Sequence, residues 1–434
     1  MNVLQTERAG AVDLLFDRAE HRHDIVFQWS RERIARLQAK VENPAEPEFV
    51  RACAQSQLAS AAGNGRDAAQ FLRCTLEKFW QLYPHSGHFC EHIIQAAICL
   101  QNFKLVATII EDHCGTGECL RIIPLQSTFS QTANLARFNP SRQCEYWLDP
   151  RIPGAPDADY FISHWRSPVI LLANYCKSTS YEPGGAVFNV GEHGQVPGVA
   201  YCANTNDFLL VPDNYFITTQ GYSQLKELFS KQRPSWEARS PLAFWRGGTT
   251  GIRQPSSDWK SLPRVKLAEI SREHSSLIDA KLSTVVQTVS QAEAEEIRGS
   301  GLVAGPAAPE QFLQYKYQID IDGNSNSWPG LIQKLLTGSP VLKVDSPLGF
   351  RQWYYDKLEP GRNFVPVKAD LSDLIDKIKW LNEHDEQAKE IGSAGLLLAQ
   401  SLSYEGEVDG SANTIRTAVE RLKLSTSPKG PAPR

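Results

Sequence analysis

The second half of this chain has no cysteine: none of the nine follows Cys202, and none precedes Cys53. That distribution excludes a disulfide framework for residues 203–434, and an odd number of thiols in so long a chain points to reduced cysteines. Long apolar runs are also missing. The most apolar region, His92 to Ile110, is interrupted by Gln95, Gln101, Asn102 and Lys104, so it should not span a membrane. The first ten residues, MNVLQTERAG, are polar and no apolar stretch follows, so nothing resembles a signal peptide. Neither sign of charge dominates. A formal net charge of -4 gives no reason to expect a nucleic-acid partner. With 434 residues the chain should form two or three domains.

The first third reads as mostly helical. Val12, Leu15, Phe16, Ile25, Val26, Ile34 and Leu37 keep helical spacing until Pro44 and Pro47 break it. Gly63-Asn64-Gly65 is a second break, and Phe71 to Leu82 and Ile93 to Leu105 are further amphipathic stretches. His85, His88, Cys90 and His92, with Cys114 and Cys119, suggest zinc, but the spacing matches no closed site, so surface histidines and core thiols are expected instead. From about Cys144 short apolar runs alternate with Pro, Gly and Asp. Val169–Leu172, Ala186–Val190 and Phe208–Val211 read as strands, and Gln232–Ser235 as a linker.

The most informative stretch is Tyr317 to Ser346. Tyr317, Ile319 and Ile321 alternate with polar residues as in a strand, and Gly323-Asn324-Ser325-Asn326-Ser327 forms a small polar turn. Pro329 suits a first helical turn, Leu331, Ile332, Leu335 and Leu336 give an apolar face, and Val341–Val344 is the next strand. A loop at a helix N-terminus offers free N–H groups and the positive end of a dipole, which favours a phosphate. A second strand, Leu242–Trp245, runs into the glycine-rich turn Arg246-Gly247-Gly248-Thr249-Thr250-Gly251. There Arg246 is a candidate diphosphate ligand, or a surface arginine beside a flexible turn. Asp320-Ile321-Asp322 has the form of a D-x-D metal motif, although turn chemistry at Asp322 is the stronger reading of three residues.

Phe244-Trp245-Arg246-Gly247, PRVKLAEIS, LIDAKLS, YKYQIDIDGNSNSW, LLTGSPVLKVDS and FVPVKADLSDLIDKIKWL follow one another in an order and spacing that resemble glycosyltransferase family 90. The resemblance is strong from about Leu242 to Leu402, weaker from about Val187 to Tyr215, and absent from the first third. It implies an α/β, GT-B architecture of two Rossmann-like domains facing a cleft, the C-terminal one holding a sugar nucleotide. Boundaries are expected at 1–143 (helical), 144–235 (acceptor side), 236–403 (UDP-sugar side), 404–424 (a helix packing back on the N-terminal half) and 425–434 (a disordered tail). The resemblance further implies inverting transfer from a UDP-sugar without a metal or other cofactor. The acceptor would be a hydroxyl of a glycan, a lipid-linked saccharide or a protein.

By the same resemblance Arg246 and Gly323 to Ser327 bind the donor, and Gly247, next to Arg246, and Lys343 are further candidate donor contacts. Glu192, in Asn189-Val190-Gly191-Glu192, stands on the family's catalytic aspartate, with Asp213 as the alternative base. A donor-site arginine that the family carries near Gly330 is missing, and Lys334 or Lys343 would have to replace its charge. That gap leaves a rival reading, a silent sugar-nucleotide-binding protein. The polar N-terminus argues against luminal protein glycosylation and towards a bacterial, lipopolysaccharide-type enzyme in the cytoplasm or peripheral at the inner membrane.

Overall fold

The computed structural model describes residues 29–80, 82, 87–100, 102, 105–106, 109, 119–124, 133–148, 158–253 and 258–426. The expected helical spacing over residues 11–28, as well as His85, Cys114 and the tail from 427, lie outside them. The chain divides into two compact units. One holds residues 1–201, 207–214 and 408–434, the other residues 202–206 and 215–407.

The first unit starts with helices α1 (Arg31–Glu42), α2 (Glu48–Ala61), α3 (Gly65–Phe79) and α4 (Gly87–Cys99). Ser30 caps α1 by accepting the Arg33 N–H at 3.0 Å, and Asn64 caps α3. Arg33 is wholly buried and donates to the Gln57 side chain at 2.9 Å, so the bundle spends a charge in its interior. His92 is buried as well, edge-on to Phe49, and is not the surface histidine expected. The described cysteines are free thiols.

Strands then begin earlier than the residue-144 boundary: β1 (Leu120–Pro124), β2 (Ala133–Phe138) and β3 (Cys144–Leu148) precede β4 (Gly184–Asn189), β5 (Gly198–Ala200) and β7 (Phe208–Leu210). Their order is β1-β3-β2-β4-β5-β7, with β2 antiparallel to both neighbours and the β4-β5-β7 edge parallel. Val169–Leu172, expected as a strand, lies within helix α5 (Ala158–Lys177). Four apolar residues fit either state, and α5 is long enough to bury Val169, Leu171 and Leu172 along one side.

The second unit is a parallel sheet of β8 (Ser240–Gly248), β9 (Ile278–Thr284), β10 (Tyr315–Asp320), β11 (Val341–Val344) and β13 (Val365–Val367), in the order β13-β11-β10-β8-β9. A separate ribbon pairs β6 (Cys202–Ala203) with β12 (Arg351–Gln352). Helices α6 (Ser223–Gln232), α7 (Pro263–Glu273), α8 (Gln291–Gly299), α9 (Pro329–Leu336), α10 (Leu374–Glu383) and α11 (Asp385–Ser401) complete it. Trp245, Val265, Leu267, Ile278, Ala280, Tyr317, Ile319 and Leu342 are among the residues of its core. Gln232–Ser235 is no free linker. Arg233 donates to the Leu336 and Thr337 carbonyls at 2.8 and 3.0 Å, closing the C-terminus of α9 where a cation suits the dipole.

The last helix, α12 (Tyr404–Thr426), joins the first unit from Val408 onward, where Asn174 donates to the Val408 carbonyl at 3.1 Å and Ser180 to the Asn413 side chain at 2.7 Å.

Candidate active site

The strand order of the second unit locates its ligand site. From β8 the chain moves outward to β9, then crosses back past β8 to lay down β10, β11 and β13. The direction reverses between β8 and β10, and open parallel sheets bind ligands at that point, outside the carboxyl ends of the strands. The loops leaving these two strands there are Gly247–Gly251, which follows the diphosphate candidate Arg246, and Gly323–Ser327, read from the sequence as a phosphate site.

They are joined. The Gly251 N–H donates to the Asn324 side chain at 3.1 Å. Gly323 needs to be glycine, since a Cβ there would lie 2.7 Å from the Thr250 hydroxyl and 3.1 Å from an Arg264 nitrogen. Asn326 accepts the Trp328 N–H at 2.7 Å and keeps its own buried Nδ2 without a partner. Trp328, just before α9, is held at φ 51° and ψ -117°, a region that costs a non-glycine residue about 1–3 kcal/mol and is found at functional sites.

Arg264 binds both loops. Its Nε donates to the Asp322 carbonyl at 3.0 Å, Nη2 to the Ile321 carbonyl at 3.1 Å, and Nη1 to the Gly248 carbonyl at 3.2 Å and the Thr250 hydroxyl at 2.6 Å. Sequence reasoning passed over it. A signal was available: Arg264 is the second residue of α7, where the positive end of the helix dipole disfavours a cation unless other groups hold it.

Arg246 is placed differently from the expectation. Its guanidinium pairs with the Asp279 carboxylate at 2.8 Å, donates to the Trp245 and Asp279 carbonyls at 2.9 Å, and stacks 4.5 Å from the Phe244 ring centre. These partners occupy it, so it braces β8 against β9 and is not an open diphosphate ligand. Lys343 and Lys334 are also internal. Lys334 Nζ lies 2.9 Å and Lys343 Nζ 3.3 Å from the two oxygens of Asp320, which is itself 0% exposed. Burial alone would raise the Asp320 pKa, but the two ammoniums and the Ser327 hydroxyl outweigh it and hold the carboxyl well below the usual range. A Cβ on Gly330 would meet the Lys334 ammonium at 3.1 Å, so this lysine fills the space beside the position of the missing arginine.

Asp322 does not do the turn chemistry expected of it. Both its oxygens are buried and accept no hydrogen bond of ordinary geometry from a described residue, and the nearest ammonium, on Lys343, is 3.9 Å away.

In the first unit the Asn189 side chain organises the Glu192 loop. Its Nδ2 donates to the Val196 and Val199 carbonyls at 2.8 and 3.0 Å, and its Oδ1 accepts the Gln195 and Val196 N–H groups at 2.9 and 3.0 Å. All four hydrogen-bonding positions of the amide are used, which fixes the turn from Val190 to Pro197. Glu192 is half-buried on that turn, whereas Asp213 is wholly buried and badly placed to take a proton from a substrate.

The model of Glycosyl transferase family 90 matches residues 192–405, which include both switch-point loops and Glu192. Residues 192–405 are thus similar to glycosyltransferase family 90. Protein O-glucosyltransferase 3 of Homo sapiens is 32% identical over 221 residues, 49% of this chain and 39% of that protein. Protein O-glucosyltransferase 2 of Danio rerio is 29% identical over 218 residues, 47% of this chain and 39% of that protein. The chain thus spans about two fifths of the length of these relatives. Among solved structures, Anabaena HepE in complex with UDP and glucose aligns over 90% of this chain and 97% of that one, at 12% identity and a TM-score of 0.33, too loose a likeness to build on.

The relatives correct one expectation outright. They are vertebrate protein O-glucosyltransferases, the class that the polar N-terminus had argued against, and neither is bacterial. The cytoplasmic or inner-membrane placement hangs on a bacterial setting and falls with it. Among the described residues, no helix is long and apolar enough to cross a membrane.

Proposed function

We propose that this family 90-like domain transfers a hexose, glucose being the first to test, from a UDP-sugar to a hydroxyl of a protein acceptor, with inversion at the anomeric carbon. One observation carries the reading: two glycine-bearing loops at the switch point of a parallel sheet are tied together by one partly buried network around Arg264. The glucose and the protein acceptor are taken from the names of the relatives, and the UDP carrier from the family resemblance.

In this mechanism Glu192 accepts the proton of the attacking hydroxyl. The sugar passes through an oxocarbenium-like state, as in glycoside hydrolysis. The departing diphosphate is held by main-chain N–H groups of Gly323–Ser327 and of the first turn of α9. Positive charge beside it comes from Arg264, which together with Lys334 and Lys343 behind the loop outnumbers the carboxylates of Asp320 and Asp322. The reading therefore routes no step through a metal.

Purified protein incubated with a panel of UDP-sugars, with and without a folded protein acceptor, should release UDP with one preferred sugar and release more when the acceptor is present. The engagement of Arg246 by Asp279 favours a second reading, a silent binder, and tight UDP binding without release under any acceptor would select it.

A further inference from the structure

One buried group of the site has no task in that mechanism. Asp322 is only 9% exposed, both its carboxylate oxygens are out of contact with solvent, and neither makes a hydrogen bond of ordinary geometry to a described residue, the Ser346 hydroxyl being the polar neighbour that pulls on them. It stands just past the end of β10, next to Gly323, at the mouth of the phosphate loop. A carboxylate buried without donors is costly, and such groups persist where a ligand completes them. The charged groups around it are bound more closely to other partners. Lys343, from β11, sits closer to Asp320 at 3.3 Å than to Asp322 at 3.9 Å. Lys334, from α9, is paired with Asp320, and Arg264, from α7, takes the backbone carbonyl of Asp322 and not its side chain.

We infer that Asp322 accepts hydrogen bonds from hydroxyl groups of the bound nucleotide sugar and so selects for a polyol beside the diphosphate. The inference rests on the proposed function and adds to it the recognition of a neutral donor group. A hydroxyl suits the site better than a phosphate oxygen, because an acceptor-only carboxylate repels a second anion. Two parts of a nucleotide sugar carry hydroxyls, the ribose and the transferred sugar, and the chemistry is the same for both.

Titration supports this assignment. Burial, with a contribution from Asp320, pushes the Asp322 carboxyl up to about 6, against the pull of Lys343, Ser346 and Arg264. A raised acid is worth most to the unliganded fold when protonated, so its ionisation costs stability as pH rises through about 6. Hydroxyl donors from a ligand stabilise the ionised form, so ligand affinity should rise over the same interval. The diphosphate of a nucleotide sugar is already fully ionised there and adds no trend of its own.

The test is calorimetric titration of the full chain with UDP-glucose and with UDP, between about pH 5 and about pH 7.5, for the parent and for Asp322→Asn. The parent should bind UDP-glucose about tenfold more tightly at the upper pH than at the lower. Asp322→Asn should be about tenfold weaker at the upper pH, with a flat profile, and should melt no lower than the parent without ligand because it removes a buried charge. A loss seen with UDP as well assigns the hydroxyls to the ribose, and a loss seen only with UDP-glucose assigns them to the transferred sugar. Equal affinity and an unchanged pH profile in Asp322→Asn, with the parent binding normally, would overturn the inference while leaving the transfer reading intact. So would binding by the parent that requires added Mn, lost on chelation, with the variant indifferent to it. A parent that binds neither compound would overturn the transfer reading and this inference together.

Discussion

Arg264→Ala is expected to weaken UDP binding about a hundredfold, close to 3 kcal/mol. The guanidinium bonds to the ends of both switch-point strands, through the carbonyls of Gly248, Ile321 and Asp322 and the hydroxyl of Thr250. Each hydrogen bond to a charged group contributes about 1.5–3 kcal/mol, and carbonyls stripped of a donor inside the protein are penalised further. Water will replace some of these bonds, which is why the expected loss is below their sum. The loops should then separate and present their N–H groups in several arrangements, so the loss should appear in donor binding as well as in the melting temperature. Arg264→Lys should recover only part of it, because an ammonium is a compact donor that cannot span both strands. Calorimetry with UDP on the alanine and lysine variants decides the matter, and a folded alanine variant with parental affinity would show that the loops hold themselves.

Glu192→Gln should leave UDP affinity within about twofold and lower turnover at least about a hundredfold, the usual contribution of a general base. The amide is isosteric, and the loop conformation belongs to Asn189, whose four bonds the substitution does not touch. A drop in kcat with unchanged donor binding is therefore the signature of lost chemistry, not lost structure. Full activity in Glu192→Gln would move the base elsewhere, and Asp213, wholly buried, would be a poor heir.

The unit from Tyr317 to Val344 was legible because its pattern changes period, from alternation in the strand to a helical apolar face, with Pro329 at the first helical position marking the switch. The Gly323–Ser327 loop was found in this way and the turn after Trp245 from its glycines, and the strand order then brought them together. Other features depend on partners distant in sequence. Arg246 looked open at the end of a strand, because nothing near it in the chain announces Asp279 on the neighbouring strand. Lys334 and Lys343 offered a replacement charge for the missing arginine, because nothing in the local sequence shows that Asp320, inside the sheet, already answers them. Asp322 read as a turn residue from its neighbour Gly323, and only the geometry shows that its side chain bonds to nothing in the turn. Val169–Leu172 went to the wrong class because four apolar residues carry no period. Beyond about Cys144 the class of the fold was clear from alternating short elements, while β1 and β2, which lie before that boundary, were missed.

The central claim is that a nucleotide diphosphate settles where the chain reverses between β8 and β10. A crystal structure of the protein soaked with UDP tests it most directly. The account predicts both phosphates within hydrogen-bonding distance of the Gly323–Ser327 main chain, with Arg264 still joining the two loops behind them. A nucleotide bound at another edge of the sheet, with those loops untouched, would contradict it.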